Sequence, residues 1–258
     1  MPIIHKLDHF IVNQIAAGEV VERPASIVKE LMENSIDADA KAITLEVENG
    51  GISFLRVTDN GTGMEEDDAK ASFQRHATSK ISDADDLSNI QTLGFRGEAL
   101  ASICSVSQME MMTRQRNALS GYRLVNHGGE MIRVEEAGCP EGTTILVRNL
   151  FYNAPARLKF LKSPRSETAA ISELTAKLIL AHPEISFKYI SNGKIIYHSP
   201  GTNCLLDAIL TIYGQDVKNE LIAIDAKPAG SSLSVSGYVG KPSLARTNRS
   251  HQSFFVNG

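Results

Sequence analysis

Pro24-Ala25-Ser26-Ile27-Val28-Lys29-Glu30-Leu31-Met32-Glu33-Asn34-Ser35-Ile36-Asp37 is the stretch on which the fold turns. Proline is well tolerated at a first helical position, and the apolar residues after it recur at helical spacing. At about 100° per residue from Ile27, the side chains of Leu31, Val28, Met32 and Ile36 fill one half of the wheel. Lys29, Glu33 and Asp37 fall on the opposite, wet side. Glu30 and Asn34 stand one turn apart on the border of the buried stripe, beside Ile27. There a carboxylate can polarise a water as a general base, and a carboxamide oxygen can ligate a hard cation. Two boundary polar residues of an ordinary helix would look the same.

Outward from this helix the pattern changes period. Ile43, Leu45 and Val47 alternate as a strand does, Asn49-Gly50-Gly51 turns the chain, and residues 52–58 read as the returning strand. Further strands are predicted at 107–113, 121–126, 131–136, 143–148, 185–191 and 194–198, with Asn126-His127-Gly128-Gly129 and Asn192-Gly193 as hairpin turns. Helices are predicted near 66–74, 98–104 and 165–182. Residues 59–97 are rich in Gly, Asp, Ser and Thr, and so long an irregular stretch inside a domain usually binds something. Helices and antiparallel hairpins in groups predict an α+β fold, a sheet covered by helices on one face. The composition breaks at Ser199-Pro200-Gly201, which divides the chain into 1–200 and 201–258. The second unit is predicted to hold a helix at 203–213 and strands near 220–226, 231–240 and 252–257, and it reads as cut short.

Composition excludes several classes. The 258 residues carry 26 Lys+Arg against 30 Asp+Glu, with 42% hydrophobic residues, 3 Cys and no Trp. This is a globular balance with material for a large core, too acidic overall for a globally basic nucleic-acid protein. No apolar run approaches the ~18–20 residues of a membrane span, and MPIIHKLDHF lacks the apolar core of a secretion signal. Cys104, Cys139 and Cys204 are scattered outside any CxxC pattern, which argues against a disulfide framework or zinc site and suits a reducing cytoplasm. GxxxxGK[ST] is absent, since Gly193-Lys194 precedes Ile195 and Gly240-Lys241 precedes Pro242. Gly61-Thr62-Gly63 lacks the third glycine of a dinucleotide fingerprint.

Four further segments suit a ligand, and each also suits an ordinary turn, loop or strand. Asp59-Asn60-Gly61-Thr62-Gly63 follows an apolar strand: the carboxylate can accept from an exocyclic amine, and glycines admit a ligand close to the backbone. Gly94-Phe95-Arg96-Gly97-Glu98-Ala99-Leu100 leads two glycines into a helix, where backbone amides suit phosphates. Upstream, Arg75-His76-Ala77-Thr78-Ser79-Lys80 offers hydroxyls and a cation in a loop that suits a lid. Gly142-Thr143-Thr144 opens a later strand.

In this order the four patterns are specific. ExxxN on a helix, DxGxG after the next hairpin, GxxG before a helix and GTT on a strand resemble the GHKL ATPase superfamily, which holds topoisomerase ATPase subunits, Hsp90-type chaperones, sensor histidine kinases and mismatch-repair proteins. Asn13 to Pro24, Lys29 to Ala38, Arg75 to Lys80, Gly94 to Leu100 and Phe151-Tyr152-Asn153-Ala154-Pro155-Ala156-Arg157 are similar to the MutL family among these, in its bacterial form. The likeness spans nearly the whole chain.

The resemblance implies an α/β sandwich of the Bergerat type with a mixed sheet, followed by the start of a domain like that of ribosomal protein S5. It implies ATP and Mg²⁺ as cofactors, with Glu30 polarising the attacking water and Asn34 ligating the metal. Asp59 would receive the adenine amine, Gly63 would shape that pocket, and Thr143 would support the base directly or through water. Thr78, Ser79 and Lys80 in the lid and the amides of Gly94, Phe95, Arg96, Gly97, Glu98, Ala99 and Leu100 would hold the phosphates. A lysine that reaches the γ-phosphate in the family comes from a loop beyond residue 258, Lys241 being too early, so binding with weak turnover is expected.

Partners implied are the mismatch-recognition protein MutS, a downstream nuclease and helicase, and a second copy through ATP-dependent closure of the N-terminal regions. Weak, sequence-independent DNA binding is implied as well. Residues 142–166 carry Arg148, Arg157, Lys159, Lys162 and Arg165 with no acid, and Arg157, Lys159 and Lys162 are the candidates for that contact, although a solvated surface has the same composition. The reading from a different class is a nucleotide-binding, catalytically idle interaction module.

Overall fold

A computed structural model describes residues 20–80, 92–94, 97–227, 230, 233–249 and 251–256. Helix α1 (Pro24–Asp37) has Pro24 in its first turn and buries Ile27, Val28, Leu31, Met32 and Ser35. The helix ends where the Ala38 amide bonds back to Asn34 and the Asp39 amide to Ile36, Asp39 taking a left-handed φ of 58°. Strands β1 (Ala42–Glu48) and β2 (Phe54–Asp59) form the expected hairpin around a 3₁₀ turn at Asn49–Gly51. The chain continues through α2 (Glu66–Ala71), α3 (Ala99–Ser105), β3 (Gln108–Arg114), β4 (Gly121–His127), β5 (Glu130–Ala137) and β6 (Gly142–Arg148). Then come α4 (Pro155–Phe160), α5 (Pro164–Ala181), β7 (Ser186–Ser191), β8 (Lys194–Pro200) and α6 (Leu205–Tyr213).

These strands form one eight-stranded sheet in the order β5-β4-β3-β6-β2-β1-β7-β8. Among its pairs β1 and β7 run parallel and the others antiparallel, so the sheet is mixed. Period-two alternation sets its two faces. Ile43, Leu45, Val47, Leu55, Val57, Met109, Met111 and Phe187 point into a core shared with Ile27, Leu31, Ile103, Ile171 and Ile179 of the helices. The other face keeps polar ladders: Arg56 with Glu46, and Arg123 bridging Glu110 at 2.7 Å and Glu135 at 3.0 Å. A single layer of helices on a sheet with one wet face is the predicted α+β architecture.

Beyond β8, α6 buries Ala208 and Ile209 in that same core. A separate two-stranded sheet follows, β9 (Leu221–Ala226) with β10 (Val235–Gly240). The strand predicted near 252–257 is absent: residues 251–256 take no strand conformation. Apolar alternation alone does not make a strand, since its amides need a neighbouring ladder. The helix predicted over 66–74 stops at Ala71, and the short α4, with Pro155 in its first turn, was not foreseen. All three cysteines are free thiols, and no described helix is long and apolar enough to cross a membrane.

Candidate active site

The C-terminal half of α1, the end of β2 and the start of β6 enclose a cavity of about 800 Å³. It lies in the range of small-molecule sites. Glu30, Asn34, Asp59, Gly63, Thr78, Ser79, Lys80, Gly94, Gly97, Glu98, Ala99, Leu100 and Thr143 all line it. Residues separated by more than a hundred positions thus meet in one place. Phe95 and Arg96 lie outside the described residues.

One end is apolar around a carboxylate. Asp59 closes β2 and is 8% exposed. Its Oδ1 accepts from the Gly61 amide at 2.9 Å and the Thr143 amide at 3.2 Å, and its Oδ2 accepts from the Ser35 hydroxyl at 2.8 Å. Burial pushes this carboxyl above its ordinary value, while the three neutral donors pull it back. A carboxylate offers about four acceptor positions, so these three bonds leave one for a donor arriving through the cavity. Val57, Met64 and Ile145 supply the apolar lining.

The β3–β6 register sets Thr113 opposite Thr143. Their hydroxyls lie 3.0 Å apart, and Thr113 also accepts the Met64 amide at 2.9 Å. Gly63 has φ +68°, and a Cβ there would stand 2.0 Å from the Arg114 carbonyl oxygen, so no larger residue fits without moving the β3 end.

The other end carries charge. Asn34 Oδ1 accepts from Lys80 Nζ at 2.8 Å, and Asp37 Oδ2 accepts from the same ammonium at 2.6 Å. Asp37 also accepts the Leu93 amide at 3.0 Å and the Gly94 amide at 3.3 Å. Its side chain is 8% exposed, which corrects its placement on the wet side of the wheel. A wheel assumes one buried stripe, whereas here Lys80, Leu93 and Gly94 bond to the second flank of α1. Glu30 lines the cavity one turn before Asn34, its carboxylate 3.8 Å from Lys29 Nζ. Lys29 itself turns to Glu33 at 2.7 Å.

Two loops are tied together beside α3. The His76 amide donates to the Gly97 carbonyl at 3.0 Å, and His76 Nδ1 lies 3.4 Å from Glu98 Oε1. Gly97 has φ +62°, and a Cβ would meet the Ala77 carbonyl oxygen at 2.6 Å, so the approach of the two loops requires glycine.

The basic segment stands apart from the cavity. Lys159 and Lys162 are exposed, but Arg157 is half-buried with its guanidinium 5.8 Å from the Phe151 ring centre. Burial holds Arg157 below its ordinary value. Ser35, Asp37 and Thr113 are the site residues that sequence reading missed. For Asp37 alone there was a signal, its three-residue spacing from Asn34.

The chain has relatives among known proteins. Residues 22–131 match the family described as histidine kinase-, DNA gyrase B-, and HSP90-like ATPase. Residues 209–258 match the family described as DNA mismatch repair protein, C-terminal domain. The DNA mismatch repair protein MutL of Symbiobacterium thermophilum is 50% identical over 257 residues, covering 100% of this chain and 40% of that protein. Its counterpart in Pelotomaculum thermopropionicum is 52% identical over 252 residues, covering 98% of this chain and 41% of that protein.

Among solved structures, the Aquifex aeolicus MutL ATPase domain complexed with ADP superposes with a TM-score of 0.65 at 28% identity, over 80% of this chain and 73% of that one. The N-terminal domain of a DNA repair protein reaches a TM-score of 0.78 at 24% identity, over 93% of this chain and 75% of that one, and speaks for the fold alone. This chain therefore spans about two fifths of the length of the curated relatives it matches. The chain belongs to the MutL family of DNA mismatch repair proteins.

Proposed function

We propose that this chain binds ATP with Mg²⁺ in the α1–β2–β6 cavity and acts as the ATPase module of a mismatch-repair clamp. The observation that carries the reading is Asp59, a buried carboxylate held by three neutral donors with one acceptor position left toward the cavity. A buried charge without a cationic partner is costly to keep, and such groups concentrate at functional sites. The adenine amine is the donor we assign to it, with Thr143 supporting the ring and Val57, Met64 and Ile145 against its faces. The ADP carried by the Aquifex relative supports a nucleotide here.

At the charged end, Thr78, Ser79, Lys80 and the amides of Gly94 and Gly97–Leu100 are assigned to the phosphates, with Phe95 and Arg96 in the same stretch. Asn34 fits a magnesium site: its hard oxygen lines the cavity, and an ammonium already stands 2.8 Å from it as a stand-in cation. No group of three or more His, Cys, Asp or Glu that could hold a metal occurs among the described residues. That suits Mg²⁺, which keeps waters and takes ligands from phosphate. When bound, the metal neutralises phosphate charge. Glu30, one turn from Asn34, orients and deprotonates the attacking water, without a covalent intermediate. Lys80 is the one permanently positive side chain among the described cavity residues, and slow hydrolysis is part of the proposal.

Thermal unfolding with Mg²⁺ and a non-hydrolysable ATP analogue tests the site. A ligand at a hundred times its Kd adds about 2.7 kcal/mol, a Tm rise of roughly 5–10 °C for a chain of this size. Asn34→Ala is expected to lose the Mg²⁺-dependent part of that rise. An equal rise in both proteins removes Asn34 as the metal ligand, and no rise in the wild type removes the nucleotide reading.

Partners follow from the family. MutS, a second copy closing over ATP, a downstream nuclease and helicase, and DNA held without sequence preference are the proposed set, in the cytoplasm. We retain a division at residues 1–200 and 201–258 on the separate β9–β10 sheet, with α6 as the tether. For DNA, Lys159 and Lys162 are the exposed cations, whereas reversing Arg157 would also disturb Phe151. Lys159→Glu with Lys162→Glu is expected to weaken binding to duplex DNA and to lower the salt slope by about 2. Unchanged affinity and slope would return this segment to a solvated surface.

A further inference from the structure

Lys80 is held in an unexpected place for a phosphate-binding lysine. Its ammonium lies 2.8 Å from Asn34 Oδ1 and 2.6 Å from Asp37 Oδ2, with its side chain 19% exposed and that of Asp37 8% exposed. Asp37 fixes this arrangement from several sides. It sits one residue short of a full turn beyond Asn34 on α1, and it takes the Leu93 and Gly94 amides as well as the ammonium. The Gly94 turn is packed against the same point: a Cβ there would lie 3.4 Å from Lys80 Nζ and 3.9 Å from Asn34 Oδ1. Asn34 Oδ1 is the oxygen that the proposed site gives to the metal.

An ammonium and a divalent cation compete for that oxygen. It has a second lone pair, but a metal bound there would stand within ~4–5 Å of the ammonium, and two cations that close repel strongly at a partly buried site. A triphosphate changes the balance, because it offers the lysine far more negative charge than one carboxylate and a neutral amide do. Movement of the ammonium to phosphate clears Asn34 Oδ1 in the same event that brings the metal's other ligands.

We propose that Lys80 is a placeholder cation: Asp37 stations its ammonium on Asn34 Oδ1 and blocks divalent metal there until a triphosphate draws the lysine away. The proposal deepens the reading of this cavity as a Mg²⁺–nucleotide site and rests on it. Asp37 is then a positioning residue, acting through Lys80. The consequence is that metal and nucleotide bind as a pair and metal-first loading is suppressed, which is a coupling between two ligands built into three side chains.

The test uses Mn²⁺ alone as the probe, titrated into the 258-residue chain without nucleotide. Free aquated Mn²⁺ is counted by electron paramagnetic resonance. Lys80→Met keeps the aliphatic stem and removes the charge, and it is expected to bind Mn²⁺ at least about tenfold more tightly than the wild type. Lys80→Gln, which keeps a donor on Asn34 without charge, is expected to move the same way, and Lys80→Met with Asn34→Ala is expected to lose the gain. The same Lys80→Met protein should bind the non-hydrolysable ATP analogue more weakly. A merely structural lysine would lower both affinities, so the opposite signs are the signature.

Mn²⁺ affinity no tighter than wild type in folded Lys80→Met and Lys80→Gln overturns the proposal. Loss of the fold in both neutral variants also overturns it, since the contact would then be structural. Because the Mn²⁺ measurement contains no nucleotide, its failure stands apart from a failure of the thermal test on Asn34→Ala.

Discussion

Asp59→Asn leaves the fold in place and lowers nucleotide affinity by about a hundredfold or more, measured by calorimetry with ADP. The reason is a mismatch of donors. Each group that Asp59 meets is a donor: the Ser35 hydroxyl at 2.8 Å, the Gly61 amide at 2.9 Å and the Thr143 amide at 3.2 Å. The adenine amine would be a fourth. A carboxylate accepts all four, whereas a carboxamide replaces one acceptor oxygen with a donor nitrogen and must point it at another donor. Losing a charge-assisted bond costs about 1.5–3 kcal/mol and leaving a buried donor unpaired costs a further ~1–3 kcal/mol, which together give the expected factor.

The pH dependence has the same origin. Bonding to the amine favours the ionised carboxyl, so affinity is present above the Asp59 pKa of the free protein and falls as pH drops through it. Burial holds that pKa above the ordinary aspartate value, so the loss begins in milder acid than for an exposed aspartate. Affinity for ADP that is unchanged in Asp59→Asn, or flat across that acid range, removes Asp59 from the base pocket.

How much of this was readable before the fold was known depends on the range of each signal. The α1 stripe and the β1–β2 hairpin are local patterns, and Ile27, Leu31, Ile43 and Val47 are all buried as their periodicity requires. The border position of Glu30 and Asn34 also follows from one helix alone, and both line the cavity. Thr113 could not be found in this way. It reaches the site only because β3 pairs with β6 in a register that sets it opposite Thr143, a relation between residues thirty positions apart.

Asp37 failed for a related reason, since its burial comes from Lys80 and the Gly94 turn crossing α1 from outside the helix. Arg157 shows the converse error. Counting cations along 142–166 gave it the same weight as Lys159 and Lys162, but its side chain turns back over Phe151. The individual motifs were weak because a turn, a strand start and a helix start each need glycine or threonine for backbone reasons alone. Their order carried the information, because only a fold that closes β2, α1 and β6 around one cavity makes use of all four together.

Glu30→Ala is expected to separate binding from chemistry. Nucleotide affinity is expected to stay within about twofold of wild type, because the proposed site assigns the ligand's other contacts to Asp59, Thr143 and residues 78–80, while turnover falls by about 10²–10⁴, the usual share of a positioned general base. Single-turnover phosphate release reads this even where steady-state hydrolysis is slow. The neighbouring acids make the assignment a real choice. Glu33 lies three residues on with its side chain 12% exposed, and it engages Lys29 at 2.7 Å. Burial pushes the Glu33 carboxyl above its ordinary value, a direction that would favour a base.

Geometry decides against it. Glu30 lines the cavity and Glu33 does not, so a water at the phosphate end is within reach of Glu30 alone of the two. The Lys29–Glu33 pair also holds the lysine 3.8 Å from Glu30, an ion pair longer than a hydrogen bond, which leaves Glu30 acceptor positions for water. Glu33→Ala should therefore retain phosphate release within about twofold, its cost appearing in the stability of a half-buried pair. Full release by Glu30→Ala together with collapse in Glu33→Ala would transfer the base to Glu33. It would also mean that α1 turns by about 60° in the closed state relative to the orientation described here.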